Sequence, residues 1–384
     1  MRKLFLPFVF FMLFGSYQIW GQTWSSPTRL TWNSGLSSVP CVAADSGNRI
    51  HVVWHDDTPI IREIYYKRSL DGGTSWSGLS RLTWNSGSSN DPAIAADSSD
   101  GIHIVWSDRS PGNYDILHKR STNSGASWSG ITRLTWNAGS SLRPDISADT
   151  SSGIHIVWVD ETPGNKEIYY KRSTDCGAVW SGITRLTWSA GSSECPAIAA
   201  DSAGGVYVVW EEWPSDYSDA EIFFKCSTDS GVSWSKPTRL TWNDDDTWKP
   251  DIAVDSSSRI HVVWQDWKSD NFDIFYKNST NGGAAWSGVK RLTWNAGGST
   301  YPSIAVDSGN GIYVVWGDKT PLNYEIFYKQ STDVGGTWSG ITRLTWSSGE
   351  SYGPFISTDS GGGIHVTWRD DTPGNLEIYY KNRK

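Results

Sequence analysis

One tetrapeptide, Arg-Leu-Thr-Trp, recurs seven times, starting at Arg29, Arg81, Arg133, Arg185, Arg239, Arg291 and Arg343, in steps of 52, 52, 52, 54, 52 and 52 residues. An apolar run ending in Trp keeps the same steps at Trp54, Trp106, Trp158, Trp210, Trp264, Trp316 and Trp368. A third series stands at Trp24, Trp76, Trp128, Trp180, Trp234, Trp286 and Trp338. A period of this size is the mark of one supersecondary unit copied in tandem, each copy burying its apolar face on the next. The chain is therefore a solenoid, a propeller or an array, and function is to be sought where the copies differ.

Each unit reads as four short strands. In the second, Pro92 to Asp97 is strand A, Gly101 to Asp108 strand B, Asp115 to Ser121 strand C and Trp128 to Trp136 strand D. Ile, Val, Tyr, Thr and Trp fill these runs, Gly, Ser, Asn and Asp separate them, and no stretch carries a helical period. Seven such units predict an all-β fold, a seven-bladed β-propeller of four-stranded antiparallel blades. The first unit supplies only a strand D, about Thr23 to Trp32, and the last stops after a strand C at Lys381. The N-terminal strand is thus expected to complete the last blade and remove the edges an open array would expose. Residues 23–384 form this single domain.

Residues 1–22 lie outside the repeat. Arg2 and Lys3 precede an apolar run from Leu4 to Phe14, and cleavage is expected near Gly21. This is the pattern of a secretory signal peptide, and it predicts a secreted or periplasmic protein with no membrane span in the mature chain. Without Arg2 and Lys3 the balance is 31 basic to 41 acidic residues. With no basic stripe, nucleic acid is not expected as a partner. Cys41, Cys176, Cys195 and Cys226 occupy non-equivalent positions, which argues against a disulfide framework or a zinc site and leaves their redox state open.

The turn between strands C and D has its own signature. Ser69-Leu70-Asp71-Gly72-Gly73-Thr74-Ser75-Trp76 recurs from Ser121, Ser173, Ser227, Ser279 and Ser331, with Asp or Asn third, Gly fifth and Trp eighth. The Asp or Asn side chain can hold the turn's amides while Gly supplies positive φ. This motif resembles the Asp box, or BNR repeat, of the sialidase-like propeller superfamily. The resemblance implies a propeller whose boxes lie opposite the ligand face and carry no chemistry. It also raises the possibility of a sialidase-like exo-glycosidase. That family's enzymes use three arginines, a Tyr–Glu pair and an acid; Arg62, Arg109, Arg143 and Arg369 lie in loop regions here, but no matching Tyr–Glu pair stands out. No catalytic residue carries over.

Two carboxylate series repeat in every blade. Asp56, Asp108, Asp160, Glu212, Asp266, Asp318 and Asp370 follow the strand-B Trp by two residues, and Glu63, Asp115, Glu167, Glu221, Asp273, Glu325 and Glu377 open strand C. The second series is expected to pair across strands with Arg81 and its equivalents. His51, His103, His155, His261 and His365 share a position with Tyr207 and Tyr313, which suggests packing. The three tryptophan series, being shared by all blades, read as inter-blade packing.

The only length change, two residues, falls in the B–C loop of blade 4. Trp213, Asp216, Tyr217 and Asp219 lie in it; Trp267 and Asp270 lie in the matching loop of blade 5, and Asp245 and Trp248 in the linker between them. Exposed aromatic rings beside carboxylates suit sugars, whose C–H faces stack and whose hydroxyls bond. These eight residues are the candidate ligand site of a non-catalytic, carbohydrate-binding propeller that recognises a glycan or a cell-surface glycoprotein as a monomer. A protein-interaction scaffold is the other reading. No cofactor or metal is expected, although the run Asp244–Asp246 offers a weak calcium pattern.

Overall fold

The computed structural model describes residues 23–216, 218–242, 245–268, 271–320 and 322–384. It contains seven four-stranded antiparallel sheets. In blade 1 the strands are Ser37–Ala44 (A), Ile50–Asp56 (B), Glu63–Ser69 (C) and the two-residue Ser80–Arg81 (D). Strand D is therefore shorter than its sequence pattern predicts. In the seventh blade the strands are Ser351–Thr358, Ile364–Asp370, Glu377–Arg383 and the N-terminal Thr28–Arg29. The ring closes as the repeat ends foretell, with Thr28 opposite Tyr380 and Arg29 opposite Tyr379.

Strand B is buried along its whole length in most blades, with the Trp54 series 0–1% exposed. Seven apolar clusters form, and each spans two neighbouring blades: Val53, Ile64 and Tyr66 of blade 1, for example, pack with Ile102, Ile104 and Trp106 of blade 2. The core is thus a set of interfaces around a wheel, which is why a single unit could not fold alone. The Trp76 series packs edge-on against an aromatic of a neighbouring blade, as in Trp128 on Tyr66 and Trp76 on Tyr380. The tryptophans of the tetrapeptide behave differently. Trp32 and its equivalents, the last residue of each Arg-Leu-Thr-Trp, are 61–68% exposed. The expectation that all three series are interior fails for this one, because Leu30 and Thr31 of the same motif fill the interface instead.

The expected Arg–carboxylate pairs occur in all seven blades. Arg81–Glu63, Arg133–Asp115, Arg185–Glu167, Arg343–Glu325 and Arg29–Glu377 are 2.7–2.8 Å apart, and Arg239–Glu221 and Arg291–Asp273 complete the set. The register differs from the simple one. Arg81 stands opposite Tyr65, not Glu63, so the pair is diagonal. An offset of two residues keeps both side chains on one face of the sheet; an offset of one would have separated them. The other carboxylate series is structural as well: Asp108 accepts from Ser89 Oγ (2.7 Å) and Trp106 Nε1 (2.9 Å), tying the start of strand A to the end of strand B. The histidines are fully buried. His51 bonds Asp45 through Nε2 (3.1 Å) and Tyr66 through Nδ1 (2.7 Å), so both ring nitrogens are spent.

Candidate functional site

Every strand A breaks at one place. The ladder shifts between Ser38 and Cys41, and at the corresponding point in the other six blades. The bulge holds an X-Pro pair, since proline cannot donate to the ladder. The residue before each proline has positive φ, from 46° to 59°: Val39, Asp91, Arg143, Cys195, Lys249, Tyr301 and Gly353. For a β-branched Val, or for any residue preceding Pro, this is an unfavoured conformation. Six non-glycine residues held there store strain of order 1 kcal/mol each. The bulge brings these residues to the wall of the central channel, a space of about 410 Å³.

No two of those seven residues are alike. The same holds one position earlier, at Ser38, Asn90, Leu142, Glu194, Trp248, Thr300 and Tyr352. It holds again just after the strand-B Trp, at His55, Ser107, Val159, Glu211, Gln265, Gly317 and Arg369. These last two series are cross-strand neighbours, Ser38 opposite His55 and Tyr352 opposite Arg369. In four cases the strand-B side chain also accepts a bond from the strained residue of the next blade: Asp91 N to His55 Nδ1 (3.3 Å), Arg143 N to Ser107 Oγ (3.1 Å), Lys249 N to Glu211 Oε1 (2.7 Å) and Tyr301 N to Gln265 Oε1 (2.8 Å). Where the chain is otherwise duplicated, its diversity is concentrated around one opening.

The sector from blade 3 to blade 7 is the most elaborated. A cavity of about 420 Å³ there is lined by Arg143, Glu194, Cys195, Glu211, Trp213, Trp248, Lys249, Gln265, Phe272, Thr300, Tyr301, Tyr324 and Tyr352. Tyr352 stands 4.8 Å, centroid to centroid, from both Tyr301 and Tyr324, and Arg369 lies 4.9 Å over its ring. Burial, with the two neighbouring tyrosines, pushes the Tyr352 hydroxyl well above its ordinary range. Lys249 Nζ and Arg143 Nη1 approach Cys195 Sγ at 3.1 and 3.2 Å. Burial nevertheless holds the Cys195 pKa up at about 11, so it is a neutral thiol there. All four cysteines are free. Burial also holds His55 down to about 3, with Arg62 and Arg369 reinforcing it, so this imidazole acts as a neutral acceptor.

The candidate residues divide on this geometry. Trp213 and Trp248 meet at 6.0 Å, Trp248 meets Phe272 at 5.1 Å, and Trp267 meets the same Phe272 edge-on at 4.9 Å. The three irregular tryptophans thus form one aromatic cluster, and Trp213 and Trp248 belong to the cavity wall. Asp216 is exposed and caps Ser218 N at 3.1 Å; Asp219 is exposed and Asp245 half-buried. None of these three lines the cavity. Tyr217 and Asp270 lie outside the described residues, as does Asp244 of the weak calcium pattern. Asp246 Oδ1 accepts from Ala220 N (3.3 Å), and among the described residues no group of His, Cys, Asp and Glu is arranged to hold a metal. Of the four loop arginines, Arg143 and Arg369 reach the channel wall and Arg62 stands beside it on Asn90 (3.0 Å), whereas Arg109 does not line it. Lys249, Tyr301, Tyr324 and Tyr352 were not legible as site residues from loop length, but for Lys249, Tyr301 and Tyr352 membership of the unlike series is a sequence signal.

Deeper in the channel, burial raises the carboxyls of Asp145 to about 7 and Asp251 to about 6, even though each accepts two backbone N–H bonds. Elsewhere burial alone would also raise Asp45 and Asp97, but bonds from His51 and Arg49, and from His103, hold both near 2. The signs are opposite. Asp145 and Asp251 bind protons more tightly in the native state, so their stabilisation is full below about pH 4 and is lost as pH rises through 6 and 7. Asp45 and Asp97 stabilise above pH 4 and lose this as pH falls towards 2. The neutral His55 works against the two carboxyls, since its stabilisation is lost as pH falls from 6.5 towards about 3, so the carboxyls are read by difference: by calorimetry, the Tm of Asp145→Asn should gain on that of wild type as pH rises from about 4 to about 8. A gap between the two profiles that does not change with pH contradicts the assignment.

No family model matches the chain, and no curated protein matches it in sequence. Solved structures do. An ulvan lyase, a polysaccharide lyase solved with the saccharide -[GlcA(1-4)Rha3S]-, superposes with a TM-score of 0.66 at 10% identity, over 92% of this chain and 95% of that one. A protein of unknown function from Dyadobacter fermentans gives 0.61 at 12% identity, over 95% and 100%. A Hadza microbial sialidase gives 0.55 at 13% identity, over 91% of this chain and 66% of its own. The chain shares its fold with these three proteins. Identities this low establish architecture and leave chemistry to the site itself. Among the described residues no helix is long and apolar enough to cross a membrane.

Proposed function

We propose that this propeller binds an acidic saccharide at the channel mouth, without catalysis, as a protein exported by its N-terminal segment. The observation that carries the reading is the concentration of unlike residues at three positions per blade around one opening. A symmetric ring can serve packing in every blade, whereas a single asymmetric ligand needs a different contact from each.

The chemistry of the contacts points to the ligand class. Lys249 Nζ bonds only the Cys195 thiol, and Arg369 Nη1 bonds Ser38 Oγ (2.7 Å); among the described residues neither forms an ion pair. Two cations outside any ion pair, one of them (Lys249) with Glu211 near enough to favour its charged form, can still meet anionic groups of a ligand. Tyr301, Tyr352, Trp213 and Trp248 offer ring faces for pyranose stacking beside them. The glucuronate-containing saccharide of the ulvan lyase gives this class a precedent on the same scaffold.

A glycan microarray probed with the mature chain tests the proposal. Carboxylated or sulfated oligosaccharides should bind and their neutral counterparts should not, with affinity falling as salt rises. Trp248→Ala should weaken binding about tenfold, the worth of one stacking face. Uniform binding of neutral sugars would remove the charge argument, and turnover of the bound saccharide would replace a binding protein by an enzyme.

A further inference from the structure

Three carboxylates line the central channel, and one of them differs from the other two. Asp145 and Asp251 each accept two backbone N–H bonds. Asp91, the residue before the bulge proline of blade 2, is half-buried, and among the described residues its carboxylate has neither a hydrogen bond nor an ion pair. Its backbone is nevertheless held in place. Asp91 N bonds His55 Nδ1 (3.3 Å), φ is 49°, and Pro92 follows directly.

Cations stand near Asp91, yet each is engaged elsewhere. Arg62 Nη1 bonds Asn90 Oδ1 (3.0 Å), Arg143 Nη1 turns to Glu194 Oε2 and Cys195 Sγ (both 3.2 Å), and Lys249 Nζ bonds the same sulfur (3.1 Å). Burial raises the Asp91 carboxyl above its ordinary range, against the pull of Arg143, Arg62 and Lys249. Positive φ accounts for a small polar residue at this position, but Asn or Gly would supply it without a charge, and Val39 and Tyr301 show that other blades ignore the preference. A half-buried carboxylate without donors is thus a cost that the fold does not explain.

Chemistry narrows what Asp91 receives. Ionised, it accepts only, and its two oxygens match the two O–H donors of adjacent hydroxyls. A second anion would be repelled by it, and a ligand ammonium would have to sit among Arg62, Arg143 and Lys249. Neutral hydroxyls meet neither objection. Asp91, Lys249 and Arg369 line the same space of about 410 Å³, so one small ligand can meet all three. Resting on the saccharide reading of the mouth, we infer that Asp91 sets its specificity: the carboxylate receives adjacent free hydroxyls of the acidic sugar and so selects that sugar over the form with the same hydroxyls methylated or sulfated. A site that pairs a ligand hydroxyl discriminates sharply, because an analogue without it leaves the protein group unpaired.

The test is a cycle measured by titration calorimetry. Wild type and Asp91→Asn are each titrated with trigalacturonate and trimannuronate, and with the same sugars methylated or sulfated at the 2- and 3-hydroxyls. Wild type should bind the free sugars at least about tenfold more tightly than the methylated ones. Asp91→Asn should shrink that preference to about threefold or less, and should bind the sulfated sugars at least about threefold more tightly than wild type does, since the repulsion is gone. Asn has the same shape, keeps the bond from residue 91 N to His55 and tolerates φ of 49°, so the Tm of the variant should match that of wild type. Equal wild-type affinity for the free and methylated sugars overturns the proposal before any variant is made. So does a folded Asp91→Asn that keeps the wild-type preference. In both cases a wild-type preference for acidic over neutral trisaccharides leaves the mouth reading standing, whereas affinity for no acidic trisaccharide removes both.

Discussion

Replacing Lys249 by Met and Arg369 by Leu together should reduce acidic-saccharide binding at the mouth by about a hundredfold or more. Each cation is placed to form a charge-assisted hydrogen bond, worth about 1.5–3 kcal/mol in a partly desolvated site, and 1.4 kcal/mol is a factor of ten. Neither change removes a structural ion pair. The backbone N of residue 249 keeps its bond to Glu211, and Met is no worse than Lys at φ of 53°. Arg369→Leu forgoes the bond to Ser38 and the stack on Tyr352, both at the cavity wall and not in the inter-blade core. The Tm should therefore move by only a few degrees. Titration calorimetry against an acidic oligosaccharide identified on the array measures the effect, and the wild-type affinity should fall with ionic strength far more steeply than the variant's. If the double variant binds as tightly as wild type, the mouth's cations are not the recognition element.

The architecture was legible because periodicity reports equivalence directly. Trp54 and its series, the paired Arg81 and Glu63, and the complementary fragments at the two ends are each visible as a pattern set by the repeat. What repetition does not report is burial. Trp32 recurs as faithfully as Trp54, and nothing in the spacing says that one faces water while the other is sealed between blades. Register was also beyond the pattern, because the two-residue offset of Arg81 against Glu63 depends on how the hairpin is pinned by Asp71, which accepts from Thr74 N (3.0 Å) and Ser75 N (2.8 Å). At the site, irregular loops pointed to Trp213 and Trp248 but also to Asp216 and Asp219, which stand outside the cavity. The stronger signal was substitution without change of length: Val39, Asp91, Arg143, Cys195, Lys249, Tyr301 and Gly353, each before a proline that every blade keeps. Sequence rules place a residue before proline in extended backbone, and the left-handed conformation that brings these residues to the channel runs against that rule.

Removing residues 23–32 should cost most of the stability of the ring. This segment supplies the outer strand of blade 7 through Ser25 N to Asn382 O (2.8 Å), Leu30 N to Ile378 O (2.7 Å) and Ile378 N to Thr31 Oγ1 (2.8 Å). It also supplies the Arg29–Glu377 pair, the Trp24–Tyr328 edge contact at 5.1 Å and the buried Leu30. Backbone bonds at about 1 kcal/mol each, with about 1.5–3 kcal/mol for Leu30, bring the loss to roughly 5–8 kcal/mol. That is comparable with the whole stability of an ordinary domain. Glu377 would be left as a buried carboxylate without its cation, which adds to the penalty. The strand Glu377–Arg383 would become a free edge, and free edges recruit other chains. The shortened protein should therefore unfold at a markedly lower temperature, lose cooperativity and aggregate at micromolar concentration. A synthetic peptide of residues 23–32 added in trans should restore much of the lost Tm in a concentration-dependent way, since it can re-enter by strand addition. An unshifted Tm in the shortened chain would mean that the wheel is held shut by its inter-blade clusters alone.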